Sequence, residues 1–142
     1  MSSSTITIDA PLESVSEVLF DIEKYPTWSG AIKKVDVLER DEKGRALKAT
    51  LVIDAGALKD SVTLEYNWSQ TPSRLDFALE DANLLTKMDG AYILKALDSD
   101  TTSVTYELEV GISMPIPAMM IRKQEKSTID LALTQLKSHL EE

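Results

Sequence analysis

The stretch from Ala118 to Glu142 constrains the fold most, because it follows a series of short alternating segments and contains neither glycine nor proline. Projected at about 100° per residue, most of its apolar residues fall on one face, as in an amphipathic helix. Pro117 suits the first helical turn, where its missing N–H costs nothing. We therefore expect a long C-terminal helix whose apolar face consists of Ala118, Ile121, Ile129, Ala132, Leu133, Leu136 and Leu140.

Before this helix, apolar and polar residues alternate in segments bounded by turn residues, which is typical of strands. Nearly every segment has one apolar and one polar face, which predicts an antiparallel sheet covered on one side. The longest segment contains Asp89-Gly90; because the alternation continues through this pair, we expect one bent strand with a bulge at Gly90. The predicted strands cover 5–9, 33–40, 46–54, 59–69, 74–80, 84–97 and 103–112, with a connection at 55–57.

Two shorter helical segments lie near the N-terminus. A helix is predicted from Pro11 to Asp21, since Leu12, Val15 and Val18 have helical spacing. A second helical turn is expected at 27–30. The predicted order is one strand, two helices, six strands and the long helix. This order indicates an α+β fold in a single domain over 1–142.

Composition excludes several functions. There are 24 acidic and 15 basic residues, giving a net charge of −9, which argues against nucleic acid and anionic membrane surfaces as partners. Cysteine is absent and His139 is the single histidine, so we expect no disulfide, no metal site and no histidine-based catalysis. Without a glycine-rich phosphate loop we expect no nucleotide cofactor. With no signal peptide or transmembrane run, we expect a cytoplasmic protein; the oligomeric state stays open.

Aromatic residues on the inward strand faces are candidates to line a ligand cavity. Tyr and Trp carry polar tips that seek partners when buried, whereas Phe77 is more simply explained by core packing. Trp28, after the Tyr25-Pro26 interruption, either lies at a cavity mouth or anchors its turn to the sheet. The inward candidates are Tyr66, Trp68, Tyr92 and Tyr106.

Three further strand residues share the inward face, namely Asp60, Thr86 and Met88. A carboxylate facing a core costs several kcal/mol unless it is paired, so Asp60 either reaches solvent at the rim or serves a polar ligand group.

On the helix, Arg122 and Glu125 are spaced i, i+3 on the side toward the sheet. They form either an exposed ion pair or one end of a cavity. In the second case, methionines including Met119 would form an adaptable wall, and we expect the cavity to open between Met114 and Glu125.

The chain resembles the START-like (helix-grip) superfamily, and specifically its polyketide cyclase/dehydrase and lipid-transport type. The resemblance rests on 8–11 (Ile-Asp-Ala-Pro), on 21–28 (Asp-Ile-Glu-Lys-Tyr-Pro-Thr-Trp), on the hairpin at 39–45 and on Leu136 and Leu140. It implies a curved antiparallel sheet of about seven strands around the C-terminal helix. Between them it implies a cavity for a lipid, sterol, quinone or polyketide, and it supplies no universal catalytic motif.

Three functions remain open at this point. The first is binding of a small hydrophobic or amphipathic molecule between sheet and helix. The second is polyketide aromatase/cyclase or dehydratase activity, with inward tyrosines or the Arg122 and Glu125 pair moving protons. The third is interaction with a macromolecular partner, which the acidic surface disfavours for RNA.

Overall fold

A computed structural model describes residues 1–55 and 58–141 of the chain. Gly56 and Ala57 of the predicted connection, and Glu142 at the end of the predicted helix, lie outside the described residues. The elements in chain order are β1 (Ser2–Ile8), α1 (Leu12–Leu19), a 3-10 helix (Ile22–Thr27), β2 (Ile32–Arg40), β3 (Ala46–Ala55), β4 (Leu58–Asn67), β5 (Arg74–Ala82), β6 (Leu85–Asp98), β7 (Thr101–Ile112) and α2 (Ala118–Glu141).

The seven strands form one sheet in the order β1-β7-β6-β5-β4-β3-β2. Every neighbouring pair is antiparallel, and the apolar faces of the strands point toward α2, as their alternation predicts. The α+β class and the helix-grip architecture expected from the sequence are confirmed. The second helical element lies at Ile22–Thr27 rather than at 27–30, and it is a 3-10 helix that contains Pro26.

Helix α2 packs against β1 and β7, the two strands at one edge of the sheet. Its fully buried apolar residues are Ile129, Leu133 and Leu136, which belong to the predicted stripe. Strand β1 begins at Ser2, earlier than predicted, because its serines are held by α2. The Ser2 hydroxyl donates to Glu125 Oε1 at 2.7 Å, and the Ser4 hydroxyl donates to Asp130 Oδ1 at 2.9 Å.

Strand β6 departs from the prediction in the position of its irregularity. The register is regular through Gly90, and it shifts between Leu85 and Lys87 instead. This shift reverses the alternation at the start of the strand, so Leu85 is buried and Thr86 is exposed. The predicted bulge at Gly90 is therefore wrong, as is the inward direction of Thr86.

Residue 90 must be a glycine because groups on the neighbouring strands lie very close to it, and not because β6 bends there. It pairs with Phe77 of β5 and with Leu108 of β7. A Cβ at this position would lie 2.5 Å from the carbonyl oxygen of Glu107 and 2.6 Å from Cζ of Phe77. The Phe77 ring therefore occupies the space that a side chain at residue 90 would need.

Within the described residues, no helix combines the length and the apolar character needed to cross a membrane.

Candidate functional site

The curved sheet and α2 enclose a cavity because α2 packs only on one side of the sheet. Strands β3 to β6 curve away from the helix and leave space on their concave face. The cavity volume is about 50 Å³. Residues of β2 to β7, of α2 and of the segment around the 3-10 helix line it. They are Tyr25, Ser29, Ala31, Ile32, Leu51, Ile53, Leu64, Tyr66, Phe77, Met88, Tyr92, Tyr106, Thr128, Leu131, Ala132 and Gln135.

All four tyrosines of the chain line this cavity. Each is between 4% and 7% exposed, so they form its inner part. The rings of Tyr92 and Tyr106 stack with centroids 4.3 Å apart. Phe77 bridges the group, with its centroid 6.2 Å from Tyr66 and 6.4 Å from Tyr106. The inward aromatics thus form one continuous surface rather than separate core contacts.

The tyrosine hydroxyls differ in their hydrogen bonding. Tyr25 donates to the carbonyl oxygen of Leu19 at 2.6 Å. For the hydroxyls of Tyr66, Tyr92 and Tyr106, which line the same cavity, the structure gives no hydrogen bond to another protein group within 1–55 and 58–141. Tyr25 thus differs from the other three cavity tyrosines in having a backbone acceptor.

Burial dominates the acid–base properties of these tyrosines. It raises the pKa of Tyr106 to about 12, although the adjacent Tyr92 hydroxyl lowers that value in part. Burial, and then the nearby Tyr106 hydroxyl, also raise the pKa of Tyr66 well above its ordinary value. Burial and then the Tyr66 and Tyr106 hydroxyls do the same for the pKa of Tyr25. All of these hydroxyls are consequently protonated at neutral pH and can donate hydrogen bonds.

The cavity lining is uncharged. Among the described residues that form it there is no Asp, Glu, Lys, Arg or His. Its polar groups are the tyrosine hydroxyls, Ser29, Thr128 and Gln135. Because a buried charge needs a partner, this lining favours a neutral ligand.

The cavity opens beside the middle of α2. Leu131 lines it and is 43% exposed, which places the mouth near this residue. Opposite it lies the segment 29–32, and the N–H of Gly30 donates to Gln135 Oε1 at 2.9 Å. The mouth is therefore bounded by 128–135 of α2 and by 29–32. The region between Met114 and Glu125, where we expected the cavity to open, holds a separate apolar pocket of about 140 Å³. It is lined by Leu84, Ile112, Met114, Ile116, Met120, Ile121 and Gln124.

Both tryptophans proposed for the cavity lie outside its lining. Trp28 is buried against Tyr25, with ring centroids 5.1 Å apart, and its Nε1 has no hydrogen-bond partner among the described residues. Trp68 donates from Nε1 to the carbonyl oxygen of Ala46 at 2.7 Å, and the Arg45 guanidinium lies 5.2 Å from its ring centroid. These contacts anchor Trp28 in its turn and Trp68 to β3.

Several polar and flexible candidates also lie elsewhere. Thr86 is exposed because of the register shift in β6, and Arg122 is exposed near the start of α2. Met119 is 72% exposed. The first turns of α2 extend past the concave face, so helical spacing alone did not reveal that these residues lie outside the cavity.

Glu125 is buried, and both of its carboxylate oxygens accept hydrogen bonds from other parts of the fold. Its Oε1 accepts the Ser2 hydroxyl at 2.7 Å and its Oε2 accepts the N–H of Val110 at 2.7 Å. The pairing of β1 with β7 extends only to Leu108, so the carboxylate accepts an N–H of β7 just beyond the paired residues. The predicted pair with Arg122 is not formed.

Asp60 lies at the junction of β4 and β6. Its carboxylate accepts N–H groups from Ser61, Asn83, Leu84 and Leu85 at 2.8–3.2 Å. Desolvation alone would raise the pKa of Asp60, but these backbone hydrogen bonds outweigh it and hold the pKa below its usual value. The side chain thus organises the turn before β6 instead of facing the cavity.

Sequence reasoning missed the helix side of the cavity. Thr128, Leu131, Ala132 and Gln135 have the spacing i, i+3, i+4, i+7, which marks one helical stripe. This stripe lies beside the buried residues Ile129, Leu133 and Leu136. Its mixed polarity is the signal that could have separated a cavity wall from the sealed core.

No group of three or more His, Cys, Asp or Glu side chains suited to a metal ion occurs in 1–55 and 58–141.

Comparisons with known proteins agree with this geometry. The family model described as polyketide cyclase / dehydrase and lipid transport matches residues 8–137. No curated protein matches the chain.

Among solved structures, a START superfamily protein from Mycobacterium smegmatis is 22% identical, with a TM-score of 0.93 and coverage of 99% of this chain and 96% of that one. The Zhui aromatase/cyclase from Streptomyces sp. R1128 is 18% identical, with a TM-score of 0.81 and coverage of 99% and 92%. A protein from Thermus thermophilus is also 18% identical, with a TM-score of 0.81 and coverage of 97% and 94%. At these identities, the similarities establish a shared fold.

The family model matches nearly the whole chain, and the order of strands and helices and the cavity under α2 agree with it. This protein therefore belongs to the polyketide cyclase / dehydrase and lipid transport family.

Proposed function

We propose that this protein binds a small, uncharged, largely apolar molecule in the cavity between the sheet and α2. The observation that carries the proposal is the composition of the lining, which combines apolar and aromatic side chains with a few hydroxyl and amide groups and no ionised group. Ligand sites commonly have this composition. Burying apolar ligand surface contributes about 25 cal/mol per Å².

The size of the cavity limits how a ligand enters. A volume of about 50 Å³ holds a few water molecules, whereas pockets for drug-sized ligands have volumes of about 300–1,000 Å³. A larger ligand therefore requires the segment 29–32 to move away from α2. The Gly30–Gln135 hydrogen bond is the direct polar link across that boundary.

A second candidate function is aromatase/cyclase chemistry. The fold similarity to the Zhui aromatase/cyclase supports it, and protonated tyrosine hydroxyls can polarise a substrate carbonyl. Arg122 and Glu125 lie outside the cavity, so tyrosines rather than that pair would carry such a reaction. Turnover of a linear poly-β-ketone to a cyclised product would favour this candidate, while binding without turnover would favour the first.

The binding function can be tested with N-phenyl-1-naphthylamine, a neutral fluorophore that brightens in apolar sites. We expect saturable fluorescence with the native protein. Ala132→Phe fills the cavity from the α2 side and should weaken binding at least tenfold. Ala118→Phe places the same ring on an exposed site of the same helix, and should leave binding unchanged.

Native mass spectrometry of the purified protein provides an independent measurement. We expect an added mass that disappears after denaturation and that Ala132→Phe does not retain. The proposal is wrong if the protein carries no added mass and the fluorophore shows no saturable binding.

A further inference from the structure

We propose that this protein docks on the surface of membranes that contain anionic phospholipid, through three exposed methionines and two cations at the start of α2. The methionines are Met114, Met119 and Met120, and the cations are Arg122 and Lys123. We call these five residues the docking patch. The inference goes beyond ligand binding, because none of the five lines the cavity under α2.

The apolar half of the docking patch is exposed to an extent that burial in the core does not explain. Met119 is 72% exposed, Met120 60% and Met114 49%, whereas Met88 of the cavity is only 6% exposed. Exposed apolar side chains that cluster, rather than lie singly, mark interaction surfaces. The apolar pocket of about 140 Å³ that Met114 and Met120 help to line continues this surface into the protein.

The cations lie beside the methionines on the same exposed turns of α2. Arg122 and Lys123 follow Met119 at i+3 and i+4, so the three side chains are neighbours on the helix surface. Within 1–55 and 58–141, neither cation takes part in an ion pair. Their long apolar stems can lie along the methionines while their charged ends reach phosphate groups.

The distribution of charge around the patch differs from the net charge of −9. Residues 113–124 contain two basic side chains and no acidic one. Of the acidic neighbours, Glu125 is buried and hydrogen-bonded on both oxygens, and Glu109 near the end of β7 pairs with Lys87 Nζ at 3.0 Å. Because the Debye length is about 8 Å at physiological ionic strength, acidic residues elsewhere are largely screened from a bilayer that touches the patch.

A bilayer matches both halves of the docking patch. In interfacial segments, apolar side chains insert at the boundary between headgroups and acyl chains, and adjacent cations attract anionic headgroups. A second copy of the chain matches only the apolar half. In a two-fold interface the same surface meets itself, so Arg122 and Lys123 of each copy would face like charges.

Site-specific fluorescence tests the contact directly. Because the chain contains no cysteine, Met119→Cys introduces a single thiol for the environment-sensitive fluorophore nitrobenzoxadiazole. We expect its emission to rise at least twofold with vesicles of equal parts phosphatidylcholine and phosphatidylglycerol, and to change little with phosphatidylcholine alone. Leu97→Cys is the matched control, because Leu97 is also exposed, at 52%, but lies at the opposite end of the sheet. Its label should not respond.

Charge reversal tests the cations by vesicle co-sedimentation of the unlabelled protein. Arg122→Glu combined with Lys123→Glu should weaken binding to the mixed vesicles at least tenfold. Lys43→Glu combined with Lys95→Glu makes the same change in net charge at exposed positions at the opposite end of the sheet, and should weaken binding less than twofold.

Removal of apolar surface tests the methionines in the same assay. Met119→Ser combined with Met120→Ser should weaken binding at least fivefold. Leu38→Ser combined with Leu97→Ser removes exposed apolar side chains away from the patch and should have little effect. Circular dichroism verifies that each variant is folded, and retained binding of N-phenyl-1-naphthylamine separates loss of docking from damage to the cavity.

Four results would overturn the inference. The label at 119 fails to brighten with the mixed vesicles, or it brightens equally with phosphatidylcholine alone, which leaves the cations without a role. The control variants weaken binding as much as the patch variants do. The label brightens with protein concentration in the absence of vesicles and sedimentation velocity shows a dimer, which would assign the patch to a second copy.

Discussion

The backbone N–H of Gly30 donates a 2.9 Å hydrogen bond to Gln135 Oε1 and thereby joins the segment after the 3-10 helix to α2. The approach is close, since a Cβ on Gly30 would lie 2.9 Å from Gln135 Nε2. Ser29 on one side and Leu131 on the other line the cavity. This hydrogen bond therefore spans the cavity mouth and couples the position of the loop to the helix.

Gln135→Ala should loosen the mouth without unfolding the protein. A hydrogen bond of this kind contributes about 1 kcal/mol, so the Gly30 amide should exchange about fivefold to tenfold faster in hydrogen–deuterium exchange measured by NMR. Thr134→Ala alters the adjacent, exposed position of α2 and should leave this rate unchanged. An unchanged rate in Gln135→Ala would show that the contact does not hold the loop.

Gly90→Ala should destabilise the fold. The added methyl group would lie 2.5 Å from the Glu107 carbonyl oxygen as well as near the Phe77 ring, and forced overpacking costs about 1–3 kcal/mol. Urea denaturation measures this loss. In a Phe77→Leu background most of the loss should remain, because the contact with the Glu107 backbone persists. Complete rescue by Phe77→Leu would mean that the ring alone excludes a side chain.

Glu125→Ala should cost about 2–3 kcal/mol of unfolding free energy, because it leaves the buried N–H of Val110 without its acceptor. Glu125→Gln keeps an acceptor oxygen and should cost less. Arg122→Ala, at an exposed position three residues away, should change stability by no more than about 0.5 kcal/mol. Equal losses for Arg122→Ala and Glu125→Ala in urea denaturation would instead indicate a functional ion pair between them.

The carboxylate of Asp60 should make the stability of the fold depend on pH in the acidic range. Its pKa is lower in the folded chain than its usual value, which is about 3.9 in unfolded peptides. The carboxylate therefore stabilises the fold fully above that value, and the contribution is lost as pH falls through the lower folded pKa.

Asp60→Asn removes this effect. At pH 7 it should reduce stability by about 1–2 kcal/mol, as expected for lost hydrogen bonds to a charged acceptor. The difference between the two proteins in urea denaturation should shrink as pH falls below about 4, because the native carboxyl then becomes protonated. Asp36→Asn, at an exposed ion pair with Lys34, is the matched control and should have little effect. A difference that grows as pH falls would contradict the assigned direction.

Most of the fold could be predicted from the sequence, because helical spacing and the alternation of apolar and polar residues continue through most segments. Alternation from Ser103 to Ile112 predicted strand β7, and the helical stripe containing Ile129, Leu133 and Leu136 predicted the buried face of α2. Alternation also located Tyr66, Tyr92 and Tyr106 on the concave face, where the cavity lies. Their role in ligand binding remains a prediction.

The differences between the predicted and the observed structure have local causes that cannot be read from the spacing of residue types along the chain. The bulge near Thr86 is marked by no glycine or proline within β6 itself, and the glycine beside it, Gly111, lies on the partner strand β7 opposite Lys87. The start of β1 depends on hydrogen bonds from Ser2 and Ser4 to a helix more than a hundred residues later. On α2, helical spacing gave the face but not the distance along the axis, so Met119 and Arg122 were expected too near the cavity.

Helix α2 packs near one edge of the sheet, and this determines which side chains can change the cavity without disturbing the helix. The helix packs on β1 and β7, whereas side chains of β3 and β4, such as Leu51, Ile53 and Leu64, line the cavity. Substitution in β3 and β4 alters the interior surface while the packing of the helix on β1 and β7 is retained. Because Leu51, Ile53 and Leu64 are also buried in the hydrophobic core, the substitutions best tolerated there are those that keep the side-chain volume.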